Sequence, residues 1–253
     1  MQTRLDHVMI VVRDLERAAS VYQGLGFRVI DGGRHTSMGT YNKIVRFGLD
    51  YLELLAVHSE EEASGFASRR AIMDFLRSRE GAFTYALAVR GLPAEAPAGE
   101  DRERKRPDGT TLRWRTGYQN FMGEQPVRPF LIEWEEPDHE LLARYEREGE
   151  SGGHPNGASA WTGITIGVPA VAAARAAYLE MLGGAQPAGV SFVSGDQIER
   201  LTIQTAGEPR VIPAEQACGV TIELSRQREG IPSRQWTDSH TGAALHGRPL
   251  VDL

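Results

Sequence analysis

Apolar and polar positions in the first part of the chain follow the spacing of strands, then of a helix, then of strands again. Residues 5–12, LDHVMIVV, form a compact apolar run rich in valine, which predicts a strand. Asp14 predicts a helix N-cap, because an apolar stripe at helical spacing follows it. That stripe consists of Leu15, Ala18, Ala19, Val21 and Tyr22. Gly24 and Gly26 end the helix, and Phe27 begins a second strand.

Two more strands complete this first unit. Residues 41–48 and 51–57 are apolar runs joined by a turn at Leu49 and Asp50, so the order is strand, helix and three strands, or βαβββ. Alternation along the last strand places Tyr51, Glu53 and Leu55 on one face. Residues 58–81 then predict a charged helical insertion.

The same pattern returns twice along the chain. Residues 161–182, WTGITIGVPAVAAARAAYLEML, repeat the opening strand and helix, and 219–226, GVTIELSR, resemble the strand DYLELLAV. A fainter middle repeat has strands at 83–92, 108–115 and 129–137, but its helix is not convincing because the connecting residues are rich in Pro, Gly and charge. The residues that occupy the position of Glu53 are Glu133 in the middle repeat and Glu223 in the last.

These repeats predict an α+β fold built of βαβββ modules. Residues 1–137 form two paired modules, and 138–160 form a linker of a short helix and a Gly-rich connector. Residues 161–226 form a third module. Residues 227–253 are a C-terminal tail with no clear periodicity.

Composition narrows the function classes. The chain has 253 residues, of which 41% are hydrophobic and 25% charged, and its net charge is -6. This acidic balance argues against nucleic acid as a partner. Cys218 is the single cysteine, which excludes an internal disulfide and a thiolate-rich metal site. We expect no signal peptide, no membrane span and a cytoplasmic protein.

The most specific candidate chemistry is the pair His7 and Glu53, an imidazole and a carboxylate that suit a divalent metal. A carboxylate between two leucines is costly to bury unless it is paired or ligating. Glu133, between Ile132 and Trp134, is the candidate third ligand. The alternatives are a half-buried histidine bonded to backbone, a solvated face for Glu53, and an exposed edge position for Glu133. Glu223 is a further candidate only if the last module joins the same site.

A second group of polar residues lies in GGRHTSMGTYN. His35, Thr40 and Asn42 are close together there, and His35 is expected to be a second imidazole ligand or a general base, unless it is an ordinary loop residue. The set His7, His35 and one Glu suits Fe(II) or Mn(II), whereas His7 with Glu53 and Glu133 suits Zn, Ni, Co or Mn.

Two arginines are candidates for binding a substrate anion. Arg113 and Arg115 flank Trp114 on a predicted strand, so they share a face and clamp a carboxylate or phosphate if that face points inward. If it points outward, they are surface charges. His154 is interpreted as a turn residue, and Cys218 as a buried packing residue.

The order and content of these segments resemble the vicinal oxygen chelate superfamily, and in particular its glyoxalase-like domain proteins. The stretches that carry the resemblance are LDHVMIVVRDL, GGRHTSMGTYNKIVRFG, YLELLAV, RPDGTTLRWR, PFLIEWEEP and HPNGASAWTGITIGVP. The resemblance implies that paired modules close a cup-shaped mixed sheet, with metal ligands on the first and last strands of each module. His7 and Glu53 match that pattern, whereas the matching first-strand positions of the later modules are Thr84 and Gly163.

The resemblance implies a metal-dependent enzyme of lyase or isomerase type, which chelates two neighbouring oxygens of a small substrate through Zn, Ni, Mn or Fe. In that reading Glu133 or His35 moves a proton, and His35, Thr40, Asn42, Arg113 and Arg115 contact the substrate. The alternatives are an Fe(II) ring-cleaving dioxygenase and a non-catalytic binding or resistance protein. Because three modules leave one unpaired, we also expect a homodimer.

Overall fold

A computed structural model describes residues 2–35, 38–94, 96, 99–105, 109–118, 129–185 and 189–226. The predicted tail, 227–253, lies outside the described residues. The first unit has the predicted order of elements. These are β1 (Gln2–Val11), α1 (Leu15–Gly24), β2 (Ile30–His35), β3 (Thr40–Phe47) and β4 (Asp50–Val57). The Asp14 carboxylate accepts a hydrogen bond from the Arg17 backbone N–H at 2.9 Å, so the predicted N-cap is confirmed.

The insertion and the middle unit follow. The insertion forms α2 (Glu60–Ser64) and α3 (Ala67–Ser78), which confirms its helical character. The middle unit contributes β5 (Gly81–Arg90), β6 (Glu100–Lys105), β7 (Thr111–Gly117) and β8 (Phe130–Trp134). Strand β6 was not predicted, because charged residues dominate its sequence, EDRERK.

The rest of the described chain contains two α-helices and five strands, with a short 3₁₀ helix, Ala214–Gln216, before the last strand. They are α4 (Asp138–Arg147), β9 (Ala158–Val168), α5 (Val171–Met181), β10 (Val190–Ser194), β11 (Ile198–Thr205), β12 (Arg210–Ile212) and β13 (Thr221–Ser225). None of the helices in the described part of the chain is long and apolar enough to cross a membrane.

The first two units share one curled, eight-stranded mixed sheet with the order β2-β3-β4-β1-β5-β8-β7-β6. Strand β1 runs parallel to β4 and antiparallel to β5, and β5 runs parallel to β8. The two first strands therefore meet at the centre, and each is flanked by the last strand of its own unit. The predicted α+β fold with a cup-shaped mixed sheet is confirmed.

The last unit differs from the predicted third βαβββ module. Its sheet has the order β10-β9-β11-β13-β12. Strand directions in this order match those of β4-β1-β5-β8-β7 in the large sheet. The small sheet is thus a reduced version of the whole two-unit sheet. Residues 182–197, between α5 and β11, contain one strand, β10, whereas three strands separate α1 from β5.

The two sheets pack on each other through one continuous apolar core. Helices α1 and α5 contribute Tyr22 and Tyr178 to this core, and both side chains are fully buried. The last unit therefore buries its apolar face within the same chain. This removes the reason for which a homodimer was expected, and the homodimer stays a prediction.

The large sheet has a core face and an opposite face, here called the cup face, which carries His7, Glu53 and Phe130. Helix α3 covers part of the cup face, where Ile72 packs with Met9, Val11 and Leu55. Helix α4 covers another part, where the Tyr145 ring lies 3.7 Å from the Arg46 guanidinium carbon. The cup face is thus a largely enclosed surface and not an open sheet.

Candidate functional site

A β-bulge in β1 builds the wall of the site. The pairing with β5 shifts between Leu5 and His7, so Asp6 is an extra residue opposite β5. A bulge of this kind lets two consecutive side chains point to the same side of a sheet. Asp6 and His7 both use this freedom, since the Asp6 carboxylate lies 2.8 Å from Nδ1 of His7.

Asp6 is held by several donors at once. It is 1% exposed and accepts from the Arg4 guanidinium at 2.9 Å and from the Trp134 indole N–H at 3.0 Å. Burial alone would raise the pKa of Asp6, but the charge of Arg4 and the His7 and Trp134 hydrogen bonds lower it to about 2. The carboxylate is therefore ionised and fixed, and it orients the His7 ring.

Aromatic side chains hold the His7 ring on its other sides. The Tyr51 ring stacks on it at 4.8 Å, and Phe130 meets it edge-on at 5.3 Å. His7 itself is 5% exposed. With Nδ1 bonded to Asp6, Nε2 is the nitrogen that faces Glu53, at 4.0 Å from Oε2.

Glu53 lies between two imidazoles. Its Oε1 is 3.9 Å from Nε2 of His35, and its Oε2 faces His7. The Asn42 amide donates to Oε1 at 2.6 Å. Burial raises the pKa of Glu53, but His7, His35, the Asn42 hydrogen bond and Arg69 outweigh it, so the pKa lies below its ordinary value. The predicted pair His7 and Glu53 therefore does meet, as a buried carboxylate beside an imidazole.

The predicted group His35, Thr40 and Asn42 also comes together. The hydroxyl of Thr40 lies 2.9 Å from Nδ1 of His35, so His35, like His7, turns Nε2 towards Glu53. Strand pairing aligns His35 with Thr40 and Gly33 with Asn42, which explains why this Gly-rich segment can supply several cup-face side chains. Asn42 Oδ1 is buried and has no hydrogen-bond partner in the part of the chain that the structure describes.

Gly32 is required by this arrangement. A Cβ atom at Gly32 would lie 2.1 Å from Oδ1 of Asn42, closer than atoms can approach. The glycine therefore lets the Asn42 side chain pack against the backbone of β2, from where its amide reaches Glu53.

The predicted placement of Glu133 is corrected by the register of β8. Phe130 and Ile132 pair with Ala86 and Ala88 on the cup face, so Glu133 points to the opposite face. Its carboxylate accepts from the Gly91 backbone N–H at 2.6 Å. Sequence similarity aligns Glu133 with Glu53, but β8 is shifted by one position relative to β4. A shift of one position moves a side chain to the opposite face of the sheet. Glu133 is therefore not brought to His7 and Glu53.

Glu223 lies outside the cup as well. It belongs to β13 of the small sheet, where Arg200 donates to its carboxylate at 2.8 Å. Glu223 was a candidate ligand only if the last module joined the site of Glu53, and the two residues lie on different sheets.

Arg113 and Arg115 share a face of β7, as predicted, but it is the face of Glu133, since Arg115 pairs with that residue. Arg113 is exposed and lies 3.5 Å from Glu103. Arg115 donates to the carbonyl oxygens of Leu92 and Ala94. Arg113 and Arg115 therefore point away from the cup face, which was the alternative to substrate binding in the cup. Both arginines line a cleft of about 730 Å³ at the β6–β8 end of the sheet, and His7 and Glu53 do not line this cleft.

Two residues interpreted as structural behave that way. His154 accepts from the Arg28 backbone N–H at 2.9 Å and donates to the Arg46 carbonyl at 3.0 Å, and burial lowers its pKa. Cys218 is buried, and burial raises the pKa of its thiol to about 11. A thiol with this pKa is not a nucleophile at neutral pH.

Sequence reasoning missed Asp6 and Arg69. Strict alternation places Asp6 on the face opposite His7, and a bulge leaves no mark in the sequence. Arg69 was one charge among many in the insertion, yet it is 8% exposed and close enough to Glu53 to affect its pKa. Its spacing of three residues from the apolar Ile72 is the signal that would have placed it on the buried side of α3.

His7 and His35 both face Glu53, but each imidazole lies near a different oxygen of its carboxylate. The three side chains therefore do not point at one shared position. Within the described ranges, no group of three or more His, Cys, Asp or Glu side chains is already arranged to hold a metal ion.

Comparison with known proteins identifies the family. Residues 5–182, well over half of the chain, match the family model described as the glyoxalase-like domain. No curated protein matches the chain. The crystal structure of a hypothetical protein from Staphylococcus aureus aligns with 90% of this chain and 100% of its own, at a TM-score of 0.71 and 17% identity. This likeness shows the fold.

Two structures with named activities align less well. Methylmalonyl-CoA epimerase from Mycobacterium tuberculosis has a TM-score of 0.35 and 19% identity over 52% of this chain and 86% of its own. Glyoxalase I from Zea mays has a TM-score of 0.32 and 10% identity over 89% of this chain and 92% of its own. Neither alignment is close enough to assign a reaction. The chain belongs to the glyoxalase-like domain family of the vicinal oxygen chelate superfamily.

Proposed function

We propose that the protein is a metal-dependent glyoxalase-like enzyme of lyase or isomerase type, acting on a small substrate that offers two neighbouring oxygens. The observation that carries the proposal is the buried Glu53 carboxylate with one imidazole near each oxygen, at 4.0 Å for His7 and 3.9 Å for His35. A buried carboxylate in this setting is costly unless it is paired or ligating.

Each imidazole is close enough to Glu53 for the two side chains to ligate the same divalent ion. Protein nitrogens and oxygens bind such ions at about 2.0–2.2 Å, so two ligands of one ion lie no more than about 4.4 Å apart. The distances from Glu53 to Nε2 of His7 and of His35, 4.0 Å and 3.9 Å, fall below that limit. Two imidazoles and a carboxylate suit Zn, Ni, Mn or Fe.

The residues around these donors supply orientation and a dry environment. Asp6 fixes the His7 ring through Nδ1, as outer acceptors do for metal-binding histidines. Asn42 holds Glu53 in the same way through its amide. A bound divalent ion would supply the positive charge that stabilises an oxyanion on the substrate. His35, whose Nδ1 lies beside the Thr40 hydroxyl, would move the proton at Nε2.

A second candidate function is favoured by the donor set itself. Two histidines and one carboxylate form the set found in non-haem Fe(II) oxygenases, which supports a ring-cleaving dioxygenase. In that case His35 is a ligand and not the proton-transferring group. A third alternative is a binding or resistance protein without turnover, because the second unit contributes apolar cup-face residues such as Ala86 and Phe130.

Metal analysis of four variants tests the proposal and separates the candidates. The chelator-treated protein is dialysed against Zn²⁺, Ni²⁺, Mn²⁺ or Fe²⁺, and bound metal is counted for wild type, His7→Ala, Glu53→Gln, His35→Ala and the surface control His139→Ala. We expect one ion per wild-type and control chain, and loss of it in His7→Ala and Glu53→Gln.

His35→Ala decides between the two enzyme candidates. Metal retained by His35→Ala shows that His35 is not a ligand and supports its proton-transfer role. Metal lost from His35→Ala, with Fe²⁺ preferred by wild type, supports the dioxygenase. A wild type that binds none of the four ions contradicts the enzyme proposal and leaves the binding protein.

A further inference from the structure

Helix α3 carries one arginine onto the cup face. Its residues Arg69 and Ile72 are buried and lie three positions apart, so they share one side of the helix. Ile72 packs with Met9 and Leu55, and these flank Glu53 by strand register and by sequence. Arg69 precedes Ile72 by one turn, beside the segment that links β2 to β3, since its Nη2 lies 3.9 Å from the Met38 sulfur.

Arg69 differs from the other buried arginines of the described chain in its partners. Arg4 is paired with Asp6 and Asp138, Arg46 with Glu150, and Arg144 with Glu136. Arg69 is as buried as these, at 8% exposed, but no carboxylate of the described residues lies within 4.0 Å of it. Its Nε has no hydrogen-bond partner among the described residues, and the sulfur that Nη2 meets is a weak acceptor.

An unpaired buried guanidinium is expensive, so its presence in a cup calls for a ligand that pairs with it. The pKa of Arg69 lies below its ordinary value, because burial and the charge of Arg102 lower it by more than the charge of Glu53 raises it. Glu53 is already flanked by His7, His35 and Asn42. Arg69 therefore keeps an N–H donor, at Nε, for a further anion.

We propose that Arg69 binds the anionic group of the substrate, a carboxylate or a phosphate, through the adjacent N–H groups on Nε and Nη2. The side of a guanidinium that presents these two donors matches the two oxygens of such a group. The inference rests on the proposed function for the substrate's other end: the substrate class is a small organic acid or phosphate ester whose two neighbouring oxygens reach the His7 and Glu53 end of the cup. Arg69 takes the place that the sequence assigned to Arg113 and Arg115.

Binding of simple anions to metal-free protein tests this role. Succinate and inorganic phosphate are the probes, with butane-1,4-diol as a neutral counterpart of succinate, and binding is measured by calorimetry on chelator-treated protein. The variants are Arg69→Met, which keeps the stem, and Arg69→Lys, which keeps the charge. The matched control is Arg70→Met, on the exposed side of the same helix, where Arg70 donates to the Ser64 carbonyl.

We expect wild type and Arg70→Met to bind an anion equally and the diol not at all. Arg69→Met should bind the anion about tenfold or more weakly, and Arg69→Lys should be weakened as well, because lysine lacks the paired donors. A preference for succinate or for phosphate identifies which group the substrate carries. Equal binding by Arg69→Met and Arg70→Met, or no anion binding by wild type, overturns the inference.

The midpoint of urea unfolding separates ligand binding from a structural role. Removing an unpaired buried charge should leave Arg69→Met at least as stable as wild type without ligand, whereas a structural ion pair would make it less stable. The outcome is independent of the metal proposal: His7→Ala should still bind the anion. A protein that binds the anion but no metal contradicts the proposed function and leaves this inference standing. A protein that binds metal but no anion contradicts this inference and leaves the proposed function standing.

Discussion

Asp6→Asn is the most informative single substitution, because it removes a charge that serves both the fold and His7. The replacement is nearly isosteric, and the side chain is 1% exposed. In the folded protein the pKa of Asp6 is about 2 against an ordinary 3.8. A depressed pKa means that the ionised form stabilises the fold. This stabilisation is complete above pH 3.8 and disappears as the pH falls through 2.

The magnitude follows from that difference. The fall of the pKa from 3.8 to about 2 corresponds to about 2.5 kcal/mol at neutral pH. This figure already includes the charge of Arg4 and the hydrogen bonds from His7 and Trp134, which asparagine replaces only in part. We therefore expect Asp6→Asn to lower the free energy of unfolding by about 2–3 kcal/mol at pH 7, measured by urea titration.

Asp6→Asn should also weaken metal binding, by about 10–100-fold, because His7 loses the carboxylate that orients its ring. Asp138→Asn is the matched control. Asp138 contacts the same Arg4, at 3.2 Å, but has no contact with His7. It should cost stability and leave metal affinity unchanged. Equal metal affinities in the two variants would refute the orienting role of Asp6.

Three further predictions concern the surroundings of the site. Burial raises the pKa of Asp50 from 3.8 to about 7, so the protonated side chain favours the folded state: its contribution to stability is complete below pH 3.8 and is lost as the pH rises through 7. Asparagine at this position still accepts from the Trp161 N–H but does not ionise. Asp50→Asn should therefore flatten the dependence of the free energy of unfolding on pH and stabilise the protein at pH 8 by at most about 4 kcal/mol. Gly32→Ala should displace Asn42 from Glu53 and lower the free energy of unfolding by about 1–3 kcal/mol, and an unchanged melting temperature would mean that the added Cβ does not clash with Asn42. Ile72→Ala should cost about 2–5 kcal/mol and loosen α3, seen as faster amide exchange in that helix, whereas a neutral effect would mean that α3 is not packed on the cup.

The sequence predicted the architecture because periodicity is a local property. The apolar run of β1, the Asp14 cap and the stripe of α1 follow from spacing alone, and repetition of that pattern indicated the paired units. The topology of the last unit was missed because the repeated strand and helix at 161–182 carry no information about how many strands follow.

The candidate site was predicted in part, and the limit was register. His7 and Glu53 lie on strands whose faces follow from simple alternation, whereas His35 was a candidate only because it lies in a polar Gly-rich segment with Thr40 and Asn42. Glu133 was misplaced because a shift of one position reverses the face of a strand, and similarity between two short segments does not fix that position. Asp6 was missed for the same reason, since its bulge depends on pairing with β5.

The central claim is that His7 and Glu53 bind one divalent metal ion. The most direct measurement is anomalous diffraction from crystals of the protein grown with Mn²⁺ or Zn²⁺. We expect one strong peak on the cup face, at about 2.0–2.2 Å from Nε2 of His7 and from an oxygen of Glu53. Ordered side chains with no peak between them, or a peak only in the cleft beside Arg113 and Glu133, would contradict the claim.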